Sequence, residues 1–382
     1  MPPPDDFTVT PYEVKGRIDY ARLRELFGTQ EVTDELRTRL RRLAGGELHP
    51  LIARGTYYSH RDLVALLDRY ERGHPFFLYS GRGPSGPLHV SHLAAFDLCR
   101  WFQERLHVPM YIQITDDEKF WARAGLTREE TVRWGMENLY DILAVGFDPA
   151  RTRVFFDSKS IGALYPLAIR VARKIPYSTV KAVFGFEASQ NIGLVFYTAL
   201  QTVPCFWPSW AEGKEVPCLI PCGIDQDPHF RVTRDIAEGL GYPKPALLHS
   251  QMIPGLLGDQ AMSTTGAAAD NALFLNDPPK VVERKVKNAF TGGRATVEEQ
   301  RRLGANPDIC SVFALWKTRF AESDARLAEV ERDCRSGALL CGECKQSILE
   351  RIHPFYDTHA VAREKAKEWA ESAIVTAAPK PI

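Results

Sequence analysis

The residues with the greatest chemical capacity lie between positions 79 and 92, where the chain reads Tyr-Ser-Gly-Arg-Gly-Pro-Ser-Gly-Pro-Leu-His-Val-Ser-His. A strand-like run, Phe76-Phe77-Leu78-Tyr79, feeds a glycine-rich turn, and His89 and His92 then open an apolar, helix-like stretch. Glycines at Gly81 and Gly83 let backbone N–H groups approach an anion, and the positive end of a helix dipole near the histidines favours negative charge. The segment is a candidate phosphate seat to which Arg82 adds a cation. No Gly-Lys-Ser/Thr follows, so it is not the common P-loop, and the residues after Gly83 are out of register for a dinucleotide Gly-x-Gly-x-x-Gly turn. A second set of reactive groups is Cys310, Cys334, Cys341 and Cys344, with 23, 6 and 2 residues between successive members. Four thiolates are the ligand set of a structural zinc and of a [4Fe-4S] cluster alike. Cys99, Cys205, Cys218 and Cys222 are expected to be structural thiols, Cys222 beside a substrate pocket.

These groups need a scaffold, and the hydrophobic patterning supplies one. Residues 1–70 form an N-terminal extension with an extended start and helical patterns over Tyr20–Phe27, Asp34–Leu43 and His60–Asp68, the last with Ser59 as its cap. Over 71–265 short apolar runs (108–115, 153–156, 217–221) alternate with amphipathic helices (129–144, 164–174). That alternation predicts an α/β, Rossmann-type parallel sheet with ligands at the carboxyl ends of its strands, and His89 follows one such end. Residues 266–360 read as a separate helical domain with segments over 279–290, 295–303, 309–320, 327–334 and 343–352, and 361–382 as a C-terminal helix and tail. Between Lys280 and Arg319 nine basic residues stand against four acidic ones, an excess that suits RNA phosphates or solvated helix faces equally.

Composition bounds the function class. At 382 residues and 45% hydrophobic content the chain has the size and core of a two- or three-domain globular protein. A formal net charge of zero argues against nonspecific coating of nucleic acid, though not against a local patch. No apolar run reaches the roughly 20 residues that span a bilayer. The start Met-Pro-Pro-Pro-Asp-Asp lacks the features of a signal peptide, so a cytoplasmic location with reduced cysteines and no membrane partner is expected.

His89-Val-Ser-His92 resembles the H-I-G-H signature of class I aminoacyl-tRNA synthetases. The string from Tyr79 to Ser85 resembles, more narrowly, the eukaryotic and archaeal type of tryptophanyl-tRNA synthetase. The segments Gln113–Lys119, Phe184–Phe186, Leu219–Pro228, Arg231–Asp235 and Gly241–Ser250 match that family in order and spacing, so the resemblance covers nearly the whole chain. It implies ATP- and Mg2+-dependent activation of L-tryptophan and its transfer to tRNA(Trp), with the helical domain reading the anticodon and a homodimeric assembly. It further implies an ATP site at Ser80, Gly81, Arg82, Gly83, His89, His92, Met262 and Ser263, in which Arg82, His89, His92, Met262 and Ser263 serve catalysis. Tyr79, Gln113, Glu118, Gln201 and Gln226 match the tryptophan pocket. The cysteine spacing is within one residue of a pattern that holds a [4Fe-4S] cluster in some of these enzymes, with Zn2+ as the alternative occupant.

One departure bears on activity. Residues 261–265 read Ala-Met-Ser-Thr-Thr where class I enzymes carry a K-M-S-K-S loop, so both lysines are replaced, by Ala261 and Thr264. Loss of one preorganised cation from a transition state costs on the order of 3 kcal/mol, about a hundredfold in rate. The departure keeps open a paralogue that activates tryptophan for another acceptor or only binds tryptophan or tRNA.

Overall fold

The computed structural model describes residues 18–262 and 270–376, together with a two-stranded ribbon at Thr8–Val9 and Val14–Lys15. Its centre is a seven-stranded sheet built from β1 (Gln30–Glu31), β2 (Tyr57–Arg61), β3 (Phe77–Arg82), β4 (Met110–Ile114), β5 (Thr152–Phe156), β6 (Cys218–Gly223) and β7 (Ala246–Ser250). The spatial order is β1-β2-β7-β6-β3-β4-β5. β7, β6, β3, β4 and β5 run parallel, and β1 and β2 add an antiparallel edge. Strand order reverses at β3, which has β6 on one side and β4 on the other. A crevice must open there at the carboxyl ends, because the crossover helices leave in opposite directions.

The strands read as continuous apolar runs because both faces of the sheet are covered. Leu78, Ile112, Ile114, Val154 and Phe156 pack into one layer with Phe96, Phe102, Leu139 and Ile142. Their neighbours in the alternation, Phe77, Tyr79, Tyr111 and Phe155, pack into the opposite layer with Leu164, Leu167, Phe206 and Trp207. The two layers are supplied by the helices Leu93–Leu106 and Arg128–Leu143 on one side and Asp157–Ala172 and Val203–Glu212 on the other.

Two segments differ from the sequence expectation. The helix predicted over 60–68 begins only at Leu63, after Asp62 at φ 53°, because Tyr57–Arg61 is instead drawn into the sheet beside β7. Ser59, expected as a helix cap, is a buried strand residue whose hydroxyl meets His249 Nδ1 at 3.2 Å. The segment at 309–320 is not one helix. It is a turn at Pro307–Ile309, a short helix Ser311–Leu315 and one wide π turn, Trp316–Phe320, closed by Ala321 N donating to Trp316 O at 3.0 Å.

The last helix is the longest departure in extent. It runs unbroken from Cys341 to Ala373, past Pro354, because its second half finds partners on the α/β region. His359 Nε2 meets Asp141 Oδ1 at 3.0 Å and Arg363 Nε donates to the same oxygen at 2.8 Å, while Ala366 and Ala370 enter the sheet's core layer. Its end is sewn to the sheet edge, with Val375 N donating to Val154 O at 2.9 Å. The helical region has its own core of Val282, Val286, Leu315, Trp316, Ile348 and Ile352, and this core also holds Val90 and Met262. The helical layer thereby touches the segment between the two histidines. No described helix is long and apolar enough to cross a membrane.

Candidate functional site

A cavity of about 420 Å3 opens at the carboxyl ends of β3, β4 and β6. Tyr79, Ser80, Gly81, Arg82, Gly83, His89, His92, Gln113, Glu118, Gln201, Gln226 and Met262 all line it, so residues up to 183 positions apart in sequence meet in one place. Ser263 and Thr264 lie outside the described residues, and Ala261 ends a short strand, Gly258–Ala261.

The glycine-rich turn is built for close approach. Gly81 is in register with Gln113 across β3 and β4, and a Cβ on it would stand 3.1 Å from Gln113 O. A Cβ on Gly83 would stand 2.1 Å from Lys119 Cε, so Gly83 is the position that lets the Lys119 side chain lie over the turn. The histidine segment is clamped from the other side: Val90 N donates to Leu273 O at 3.0 Å and Leu275 N to Leu88 O at 2.9 Å.

Arg82 carries the site's electrostatic signature. It donates from Nε to Asn138 Oδ1 at 3.2 Å, its Nη1 lies 2.9 Å from His92 Nε2, and its buried Nη2 has no hydrogen-bond partner among the described residues. No carboxylate pairs with it within ion-pair distance among those residues. Burial lowers its pKa to about 10, against a weaker opposing pull from Glu118. His92 Nδ1 also faces the His89 backbone N–H at 3.2 Å, and a neutral imidazole has only one acceptor nitrogen, so Arg82 and the backbone compete for it. Burial, and then the Arg82 charge beside them, hold both histidines well below the ordinary histidine range. At neutral pH they are uncharged hydrogen-bonding groups, stacked with ring centroids 3.4 Å apart, and His89 Nε2 is buried without a partner among the described residues. The cationic part of the expected anion seat is therefore Arg82 with Lys119, and not the histidine pair.

The acidic and amide groups of the site are hydrogen-bonded in series. Tyr79 Oη donates to Gln113 Oε1 at 2.5 Å, and Gln113 Nε2 donates to Asp157 Oδ1 and Oδ2 at 2.8 and 3.1 Å. Burial, then the neighbouring Asp117 carboxylate, raise Asp157 well above the usual carboxylate range. Asp117 rises to about 6 through burial and the charge on Asp116. Glu118 is held by Thr115 Oγ1 at 3.2 Å and Lys119 Nζ at 2.7 Å. Gln226 Nε2 donates to Asp225 Oδ2 at 2.7 Å, whereas Gln201 Oε1 is buried without a partner among the described residues. Sequence reasoning misses Lys119, Asp157 and Tyr197 as site residues. The position of Asp157, one residue beyond the end of β5, is the available signal.

Asp227, which follows Gln226, is a buried anchor. Arg61 donates to it at 2.6 and 2.9 Å, and His249 Nε2 lies 3.2 Å away. Burial would raise its pKa, but the hydrogen bonds from His249 and Arg61 prevail and hold it at about 2.

The four cysteines come together. Cys310, Cys334, Cys341 and Cys344 line one small cavity with Val312, Phe313, Val330 and Leu339. Burial lifts the Cys334 thiol to about 11 and the Cys344 thiol to about 12. Among the described residues, no three Cys, His, Asp or Glu side chains converge closely enough to hold a single metal ion. Of the basic residues counted at 280–319, Lys285 and Arg319 are used internally. Lys285 pairs with Asp277 at 2.6 Å, and Arg319 pairs with Asp97 on the α/β region and stacks on Phe355.

With this geometry in hand, comparisons with known proteins are specific. The family of tRNA synthetases class I (W and Y) matches residues 71–357. The tryptophan–tRNA ligase of Pyrobaculum calidifontis is 48% identical over 364 residues, covering 95% of this chain and 96% of that protein. The tryptophan–tRNA ligase of Sulfolobus acidocaldarius is 46% identical over 364 residues, covering 95% and 94%. Among solved structures, a tryptophanyl-tRNA synthetase from Plasmodium falciparum superposes with a TM-score of 0.88 at 34% identity, over 95% of this chain and 99% of that one. The tryptophanyl-tRNA synthetase of Aeropyrum pernix gives 0.85 at 32% identity, over 93% and 96%.

The Asp227 anchor yields a pH dependence. Its folded-state pKa of about 2 lies below the unfolded value of roughly 3.9, so the unfolded chain binds more protons in that window. The resulting stability is present above pH 4 or so and is lost as pH falls toward 2, a contribution of roughly 2 to 3 kcal/mol. In urea titrations at several pH values, Asp227→Asn is expected to be less stable than the parent protein at pH 7, with the difference shrinking below pH 4. A difference independent of pH would show that the carboxylate charge is not the source.

Proposed function

Starting from the premise that this chain belongs to the class I tRNA synthetases (W and Y) and is a tryptophan–tRNA ligase of the archaeal and eukaryotic type, we propose how its own residues perform the two half-reactions. In the first, a carboxylate oxygen of tryptophan attacks the α-phosphorus of ATP, the bond to the β-phosphate oxygen breaks, and pyrophosphate leaves with Mg2+. In the second, a terminal ribose hydroxyl of tRNA(Trp) attacks the adenylate carbonyl and AMP departs. Positioning and charge neutralisation carry most of such a reaction.

The observation that supports the ATP assignment is the half-buried Arg82, with one shielded nitrogen unpartnered and no carboxylate counter-ion among the described residues. A guanidinium left in that state is stabilised by an arriving anion, and a phosphate takes two N–H donors at once. Backbone N–H groups at Gly81 and Gly83 and the unpartnered His89 Nε2 would complete the seat, with His92 holding the Arg82 guanidinium in place. Lys119, lying over Gly83, is well placed to offset the lysines replaced by Ala261 and Thr264. Met262 packs into the helical core and would anchor its side of the loop through apolar contact, with Ser263 following it. Tyr79 and Gln113, deepest in the cavity, would accept the indole N–H, and Glu118, Gln201 and Gln226 would take the α-ammonium group. The reading as a paralogue without ligase activity rests on Ala261 and Thr264 alone.

Three further assignments are proposed. The four cysteines would hold a [4Fe-4S] cluster in preference to Zn2+. Thiolates around a single zinc lie about 4 Å apart, given Zn–S bonds of ~2.3 Å, whereas cysteines spread around a cavity suit a larger polynuclear group. The cluster would act as a structural staple of the helical region, which would bind the anticodon arm through exposed residues such as Lys280, Lys287 and Arg302. A homodimer is supported by an exposed apolar stripe at helical spacing, Ile161, Tyr165 and Ile169, on Asp157–Ala172, exposed by 41%, 51% and 54%.

Tryptophan-dependent exchange of pyrophosphate with ATP, followed by charging of tRNA(Trp), tests the central assignment. Arg82→Ala is expected to lower exchange by about a hundredfold, on the order of 3 kcal/mol. Ala261→Lys is expected to raise it, and a fall or no change on restoring this lysine would show that position 261 does not limit catalysis. Anaerobically purified protein is expected to be brown, with about four irons per chain, and Cys341→Ala to be colourless. Zinc instead of iron would reassign the site, and neither metal would refute it. Sedimentation should give a dimer that Ile169→Asp converts to monomer, and an unchanged mass would remove this helix from the interface.

A further inference from the structure

Asp157 lies outside the set that meets the substrate, and the hydrogen bonds give it a task. A tyrosine hydroxyl and a primary amide can each face either way, so a pocket ending in Tyr79 and Gln113 has no intrinsic donor or acceptor polarity. Turning the amide over would present N–H groups to the place where an indole N–H must be accepted. Something behind Gln113 therefore has to decide its orientation. Asp157 is 1% exposed, and both its oxygens face Gln113 Nε2 at 2.8 and 3.1 Å.

Resting on the tryptophan-pocket reading above, we infer that Asp157 is a positioning residue for amino acid selection: it fixes the direction of the chain Asp157–Gln113–Tyr79 so that the pocket end is a hydrogen-bond acceptor. The polarity propagates by elimination. Both Asp157 oxygens lie within hydrogen-bond reach of Gln113 Nε2 as acceptors, so the amide must present its NH2 group backwards and Oε1 forwards. Oε1 accepts the single Tyr79 hydroxyl proton at 2.5 Å, which leaves the Tyr79 lone pairs and the second lone pair of Oε1 facing the cavity. Both ends that meet the ligand are then acceptors, suited to an indole N–H and unsuited to an isostere lacking it. The alternative direction would require Tyr79 to donate to Gln201 O, which lies 3.3 Å away and is the poorer contact.

The test uses pyrophosphate exchange on the full chain with tryptophan and with β-(benzothiophen-3-yl)alanine, in which sulfur replaces the indole N–H. In Asp157→Asn the new carboxamide can donate or accept, so the chain can reverse. The KM for tryptophan is expected to rise about tenfold, and the preference for tryptophan over the isostere to fall by a similar factor, with the KM for ATP unchanged. Gln113→Glu alone, with two carboxylates facing each other, is expected to lose a comparable amount. The pair Gln113→Glu with Asp157→Asn reverses only the inner bond, because the amide introduced at position 157 then donates to a carboxylate that still accepts from Tyr79. Most of the preference is expected to return, which a role in packing alone would not produce. The pair also serves if Asp157→Asn alone does not fold. An unaltered preference in folded Asp157→Asn, or a pair that recovers nothing, would overturn the inference. No change in the KM for tryptophan in Gln113→Glu would instead sink the pocket reading beneath it.

Discussion

A guanidinium held at the end of a buried strand with no carboxylate in ion-pair reach among the described residues is the constraint around which the rest of the cleft is arranged. Removing a charge from water without an ion-pair partner is costly, and among the described residues the hydrogen-bond partners of Arg82 are both neutral, Asn138 Oδ1 and His92 Nε2. A carboxylate there would be the more stable arrangement in isolation, and it would also occupy the place of a phosphate. The neutral histidines follow from the same condition. With Arg82 beside them and little solvent, protonated imidazoles would add like charge where one cation is already undercompensated.

That arrangement stands on a rigid frame. Arg82 is the last residue of the strand at which the sheet order reverses, so its neighbours on either side belong to different crossovers and leave the crevice open. The helical region closes the frame from outside through the pairing of Leu88–Val90 with Leu273–Leu275, the Arg319–Asp97 ion pair and the apolar contacts of Met262. The long helix Cys341–Ala373 carries the four-cysteine region at one end and is tied to the α/β region by His359 and Arg363 at the other. A metal at the cysteines would therefore stiffen an element that also braces the sheet.

Much of this is legible in the sequence, and what is not has physical reasons. The parallel strands show as unbroken apolar runs, and all the expected substrate residues from Tyr79 to Gln226 reach one cavity because each sits at or near the end of a strand or helix. β2 reads as part of a helix because its Ser59 and His60 are polar yet buried, and the partner of Ser59, His249, is 190 residues away. The single long final helix reads as two pieces because Pro354 and a polar surface hide the contacts that sustain it. The neutral state of the histidines is not legible in residue type, since desolvation depends on the packed structure. Asp157 escapes notice because a lone acid beyond a strand carries no motif, and its importance lies in which atoms face it.

Charges of both signs meet at the glycine turn in a way that suits the reaction proposed for the cleft. Arg82, Lys119 and Glu118 all stand at the turn, with Lys119 Cε and Glu118 Oε2 at 2.1 and 2.7 Å from where a Gly83 Cβ would lie, while Asp157 lies behind Gln113. A zwitterionic amino acid placed between them would turn its ammonium group toward Glu118 and its carboxylate toward the cations, where a triphosphate also collects. The orientation that recognition favours is then the one that brings a carboxylate oxygen to phosphorus. Lys119 is bonded to Glu118 at 2.7 Å while lying across Gly83, so an arriving phosphate and an arriving ammonium would each draw on the same pair in opposite directions.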